Sequence, residues 1–246
     1  MEIFDFFNIS ERHIELINPF SPEKILTVGK ILGLKKGAKV IEFGCGYGEV
    51  LALWARQYNI SGKGIDIREH VCRKAKRKMT ELGFNDRIEI VCMDAAKYEF
   101  EKGAYDVAAC IGASFIWEGY EKTVQTMKTA IQPKGKLAIG EPYWQKEPVP
   151  SKYMKLEPSI LTEYELLKIA RKEGFDFEYI VRANRDDWDR YETCNWYGLV
   201  RWLEENPEHP ERQEVIDHLH KVQDEYIKFG REYIGWGVYV LNKVKY

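Results

Sequence analysis

The spacing of apolar residues changes period repeatedly along the chain, and each change predicts an element. Residues 40–43 form a short apolar stretch that stops at Gly44, and Val50, Leu51, Leu53 and Trp54 follow at helical spacing, so strand, glycine turn and helix succeed one another. A second strand is expected over 62–67, then a helix over 69–82 closed by Gly83 just past its last turn. Residues 88–93 predict a third strand and 106–111 a fourth, the latter apolar on both faces as a central parallel strand requires. A helix over 121–131 stops before Pro133-Lys-Gly135, and a fifth strand occupies 136–140. Strands alternating with helices across short connections argue a doubly wound α/β sheet.

Beyond Trp144 the texture changes. Prolines 142, 148, 150 and 158 mark a long irregular connection, after which a helix over 162–173 starts from Thr162 as N-cap and a sixth strand spans 177–181. From Asn184 the alternation breaks: Trp188, Tyr191, Asn195, Trp196, Leu199, Trp202 and Leu203 fall at helical spacing, and a further helix covers about 211–231 before a last strand over 236–241. The pattern predicts a helical insertion at about 184–233 between the final two strands. Ahead of the sheet, 1–32 is expected to be a helical cap with helices over 11–17 and 23–32, Pro22 sitting at a first-turn position, which leaves 33–246 as the main domain.

Composition narrows the class. Of 246 residues 45% are hydrophobic and 31% charged, and 37 Lys and Arg against 39 Asp and Glu give a net charge of −2. That balance is globular and exerts no bulk pull on nucleic acid or anionic lipid. The longest apolar run, 107–117, is far short of the roughly 20 residues a membrane span needs. Acids near the N-terminus stand where a signal peptide would carry Lys or Arg, so a cytoplasmic protein is expected. Cysteines 45, 72, 92, 110 and 194 are scattered with no Cys-x-x-Cys pair, which fits a reducing compartment better than a disulfide framework or a zinc cage. Aromatic residues are 13% of the chain, and five of seven tryptophans lie beyond residue 143.

Glu42-Phe-Gly44-Cys45-Gly46-Tyr-Gly48 follows a strand and opens a helix, where the backbone of such a sheet meets a ligand closely. The position of a dinucleotide fingerprint's third glycine is Glu49, a carboxylate that opposes pyrophosphate at a helix N-terminus, so a ligand without phosphates suits the loop better. Asp66 ends the second strand, 24 residues after Glu42, where a carboxylate accepts from both ribose hydroxyls; Asp94 ends the third, followed by Ala95, small enough to admit a flat ring. Three acids at successive strand ends with a glycine turn point to a positively charged nucleoside.

These residues resemble the motifs of class I S-adenosylmethionine-dependent methyltransferases: Val-Ile-Glu42-Phe-Gly-Cys-Gly-Tyr-Gly is similar to their first, Gly-Ile-Asp66-Ile67 to their second and Cys-Met-Asp94-Ala95 to their third. The resemblance covers about 38–140. It implies a Rossmann-like seven-stranded sheet with the last strand antiparallel, S-adenosyl-L-methionine as cofactor, Gly44 and Gly46 beside its methionine part, Asp66 on the ribose and Asp94 with Ala95 at the adenine. Glu42, Cys45, Ile67 and Cys110 are the remaining expected cofactor neighbours. An NAD-type oxidoreductase shares the second-strand acid and is the competing reading of the loop.

The acceptor is expected above the carboxyl ends of the fourth and fifth strands. No Asn or Asp followed by Pro-Pro-Tyr ends the fourth strand, which argues against adenine N6 or glutamine amide acceptors, and no Asp-Asn pair sits where magnesium-dependent relatives place one, so no metal is expected. Cys110 lacks the preceding proline of cytosine-C5 enzymes. Glu141 and Tyr143 are candidates for polarising the nucleophile and Trp144 for stacking on it, with walling the pocket an equal alternative. His13 is a candidate base in the cap, although a surface histidine is the commoner outcome. Trp188 and Tyr191 are the candidates in the insertion, whose aromatic stripe is otherwise core. Arg73, Lys74, Lys76, Arg77 and Lys78 lie opposite Cys72, Ala75, Met79 and Leu82 and form a solvated helix face rather than an RNA site. A small-molecule methyl acceptor is therefore expected, with a nucleic-acid methyltransferase and a non-catalytic cofactor-binding module as alternatives; the oligomeric state is left open.

Overall fold

The computed structural model describes residue 1 and residues 3–243. The Lys39–Phe43 strand (β1), Ser61–Asp66 (β2), Ile88–Cys92 (β3), Tyr105–Ile111 (β4), Ile131–Trp144 (β5), Leu161–Thr162 (β6), Asp176–Arg182 (β7) and Ile234–Asn242 (β8) form one sheet in the order β3-β2-β1-β4-β5-β8-β7, with β6 pairing β5 off that path. β8 runs antiparallel to both β5 and β7, as the resemblance implies, and the pairs from β3 to β5 are parallel. Order reverses between β1 and β4, which opens a crevice at their carboxyl ends.

The helices Pro22–Leu32 (α2), Glu49–Tyr58 (α3) and Glu69–Glu81 (α4) and the Tyr120–Met127 helix (α5) and Glu163–Lys172 helix (α7) divide between two buried cores. One holds Trp54, Val28 and Met79; the other holds Tyr120, Met127 and Leu166, and sheet residues enter both by alternation. Thr162 caps α7 in a capping box, its side chain accepting from the Glu165 N–H while the Glu165 carboxylate accepts from the Thr162 N–H. A short helix, Ser151–Leu156 (α6), and β6 occupy the proline-rich connection that was expected to be irregular.

β5 extends well beyond the expected 136–140, through Pro142. The Gly140 carbonyl accepts from the Gly112 N–H, so its main-chain polar groups face β4. Two residues on, Pro142 faces the same way, but β4 has ended at Ile111, and the missing proline N–H costs no ladder bond.

The first helix departs from expectation. It covers Ile3–Ser10 (α1) and tightens into a 3₁₀ turn at Glu11–His13, while 14–19, expected to be mostly helical, is irregular, with the Asn18 side chain accepting from the Phe20 N–H. The aromatic-rich run 3–7 has poor intrinsic helix preference, but Ile9 and Phe6 pack on the insertion helices and tertiary burial decides. The insertion comprises Arg185–Glu205 (α8), Arg212–Glu225 (α9), a π turn at Tyr226–Gly230 and the Arg231–Tyr233 turn (α10). Leu199, Leu203, Val215 and Leu219 join Ile9 in a third apolar cluster, so α1, α8 and α9 form one helical layer. Among the described residues no helix is long and apolar enough to cross a membrane.

Candidate functional site

β1 ends in a loop whose glycines 44, 46 and 48 have φ of 70°, 54° and 72°. A Cβ on Gly44 would fall on the Ala113 methyl, and the Gly44 and Cys45 N–H groups both donate to the Ile65 carbonyl at 2.8 and 3.0 Å. Asp66 ties the loop to β2: its Oδ2 accepts from the Gly46 N–H at 2.9 Å and its Oδ1 from the Arg68 N–H at 3.0 Å. Asp94 Oδ1 accepts from the Ala96 N–H at 2.9 Å, closing a turn that presents Ala95.

These elements surround a cavity of about 300 Å³. Of the residues expected at the cofactor, Gly44, Gly46, Asp66, Ile67, Asp94 and Ala95 line it, and from the acceptor set Tyr191 does. Glu42, Cys45 and Cys110 do not; they are buried behind the wall. Glu42 Oε2 has no partner among the described residues, and burial with Asp66 nearby raises its carboxyl well above the usual range. Burial likewise pushes the Cys45 and Cys110 thiols up, so both are inert small packing residues.

The expected catalytic residues do not reach the cavity either. Glu141 is buried, its Oε1 lacks a partner among the described residues, and desolvation raises it to about 7 despite a bond from Ser114. Tyr143 packs over Gly235 beside Glu163 and Arg182, with burial raising its phenol, and Trp144 is buried. The extension of β5 is the reason, since it carries 141–144 into strand pairing with β8 instead of releasing them as a loop. His13 meets the Tyr197 ring edge-on at 5.2 Å and lies in grooves outside the cavity, and Trp188 lines a different one. Glu49 is paired with Lys78 and stays outside the cavity, so its charge does not select the ligand as the loop sequence suggested.

Several further liners were not expected. Phe4 and Phe7 come from α1, Glu11 from the 3₁₀ turn, Phe115 from the 3₁₀ turn Ser114–Trp117, and Arg68 from the start of α4. Arg68 Nη1 donates to Glu11 Oε2 at 2.6 Å, and its Nε lies 3.7 Å from Asp66 Oδ1. Burial raises the Glu11 carboxyl while Arg68 opposes the rise. The position of Arg68, two residues past Asp66, offered a local signal; Glu11, 57 residues earlier, offered none.

The donor set fits S-adenosylmethionine: a side-chain-free backbone cradle at Gly44 and Gly46, a carboxylate held at the β2 end, and an apolar slot at Ile67 and Ala95 beside the exposed Phe115. Residues 40–135 match the methyltransferase domain family. YjhP of Escherichia coli (strain K12) is 36% identical over 246 residues, 98% of this chain and 99% of that one. The crystal structure of a SAM-dependent methyltransferase from Thiobacillus denitrificans in complex with S-adenosyl-L-homocysteine superposes with a TM-score of 0.91 at 38% identity, covering 99% of this chain and all of the other. That of a SAM-dependent methyltransferase from Geobacter sulfurreducens, also with S-adenosyl-L-homocysteine, gives 0.91 at 36% identity and 98% of each chain. The chain belongs to the S-adenosylmethionine-dependent methyltransferases, and S-adenosylmethionine is its cofactor.

Proposed function

We propose that the acceptor is a small molecule presenting an oxygen or nitrogen nucleophile. The observation that carries this reading is the cap side of the cofactor cavity: Phe4 and Phe7 of α1 and Tyr191 of α8 line a space of about 300 Å³ that the acceptor must share with the cofactor, which suits a compact acceptor and no polymer. The basic run on α4 argues the same way. Arg73 pairs with Glu69 at 2.5 Å, Arg77 with Glu81 at 2.9 Å, and Lys78 with Glu15 and Glu49, so among the described residues Lys74 and Lys76 alone of the run stand without an acid partner, a small charge for RNA.

In this reading the glycine loop borders the methionine part of the cofactor, Asp66 the ribose, and Ile67, Asp94 and Ala95 the adenine. The cofactor supplies an electrophilic methyl on a sulfonium that is already a good leaving group. The chain's contribution is orientation and exclusion of water: Tyr191, Phe4 and Phe7 hold the acceptor against the cavity, and their apolar surfaces keep the space dry. Incubating the protein with S-adenosylmethionine and a panel of small hydroxylated and amine metabolites, with product masses read out, should give one acceptor heavier by a methyl group. Turnover confined to RNA in a parallel reaction would overturn the reading.

A further inference from the structure

A second cavity, of about 160 Å³, lies under the helical layer and shares no lining residue with the cofactor cavity. α8 contributes Trp188 and Glu192, one turn apart on the same face; Tyr226 and Phe229 come from the π turn, Glu225 from the end of α9 and Glu157 from the end of α6. π turns inside helices concentrate at functional sites.

The rings are fixed walls. The Tyr226 hydroxyl donates to Asp189 Oδ1 at 2.7 Å, and Asp189 is held by Arg231 through two bonds of 2.8 Å. Phe229 is backed by Tyr153, stacked at 4.0 Å. Trp188 stands 6.4 Å from the Tyr226 ring.

The acids lack the partners that such a place demands. Glu192 is partly buried, with no hydrogen bond or ion pair among the described residues. Glu157 is half-buried beside Glu225, whose nearest cation, Lys221, is 4.0 Å away and exposed. An uncompensated carboxylate in such a place is costly. A cation satisfies the carboxylates and the ring faces together, whereas an anion would be repelled by three glutamates. Among the described residues no three side chains are placed to hold a metal ion. A cavity of roughly 150 Å³ holds a benzene, so about six to eight heavy atoms fit.

We propose that this cavity binds a small organic cation of the quaternary-ammonium class, its ammonium between Glu192 and the faces of Trp188, Tyr226 and Phe229. The site is separate from the cofactor cavity, so it stands whatever the methyl acceptor proves to be. The test is calorimetric titration of the full chain with choline, in the presence of S-adenosylhomocysteine to report an intact fold. Saturable one-site binding is expected, at least tenfold tighter than that of 3,3-dimethylbutan-1-ol, the uncharged isostere. Glu192→Gln should weaken choline tenfold or more and leave S-adenosylhomocysteine binding unchanged. Trp188→Ala should weaken choline and tetramethylammonium alike, because both lose the ring face. Absence of saturable binding, equal affinity for the uncharged isostere, or an undiminished affinity in Glu192→Gln overturns the proposal.

Discussion

Asp66 shows how one side chain does two jobs. Its two oxygens accept from the Gly46 and Arg68 N–H groups, which locks the glycine loop to β2 and leaves lone pairs toward the cavity. Replacing Asp66 with Ala should therefore weaken S-adenosylhomocysteine by about 1–3 kcal/mol, the range for lost charge-assisted bonds; an unchanged Kd by calorimetry would remove Asp66 from the site. Gly44→Ala should act through the backbone, because φ of 70° disfavours any side chain and the new methyl would meet Ala113. A lower urea midpoint together with lost cofactor binding is expected, and wild-type values for both would refute the cradle. Both residues were legible in the sequence because their signal is local, a glycine turn after a strand and an acid at the next strand's end. Glu11, Phe4 and Phe7 were not, since they meet the loop only through tertiary folding.

At the level of elements, most strands and helices followed from periodicity and the antiparallel last strand from the family resemblance, and the misplaced pieces share a cause. α1 and the far end of β5 are set by partners distant in the chain: α1 by α8 and α9, residues 141–144 by β8. The link between α1 and α8 has a residue-level signature that passes unnoticed in the sequence. Gly198 sits inside α8, where glycine costs about 1 kcal/mol against alanine. A Cβ there would lie 2.7 Å from the Ile9 carbonyl oxygen and closer still to that of Ser10. The glycine thus lets two backbones touch, and through them positions Phe4 and Phe7 over the cofactor cavity. Gly198→Ala should raise α8 propensity yet push α1 away. Hydrogen exchange over residues 3–10 should accelerate and S-adenosylhomocysteine should bind more weakly; retained protection would show that α1 docks without this close approach. The insertion is expected as a stripe of aromatics, and the structure divides it: Trp196 and Trp202 pack with the third cluster, Tyr191 lines the first cavity, and Trp188 lines the second.

Across the whole molecule the unpaired buried acids are a feature that neither composition nor a net charge of −2 discloses. Glu141, raised from 4.5 to about 7 by desolvation, belongs to the sheet core, beside the buried and unpartnered Tyr120 hydroxyl, whose own proton burial and Glu141 hold more tightly. The folded state then binds a proton that the unfolded chain releases, so this side chain favours folding below about pH 4.5 and loses that contribution as pH rises to about 7. The loss approaches roughly 3 kcal/mol if the whole shift is expressed, at 1.36 kcal/mol per unit. Glutamine has the same shape without the ionisation. Glu141→Gln should match wild type at pH 4.5 and exceed it progressively toward pH 8, as measured by urea unfolding at a series of pH values. Taking the difference between the two proteins cancels the opposing trend of Asp189, held down to about 2 by Arg231 and Tyr226, and of every other group they share. A difference that stays flat with pH would mean that Glu141 ionises inside the fold as easily as in water, which requires water or a partner at Oε1 and would make it accessible to the acceptor side after all.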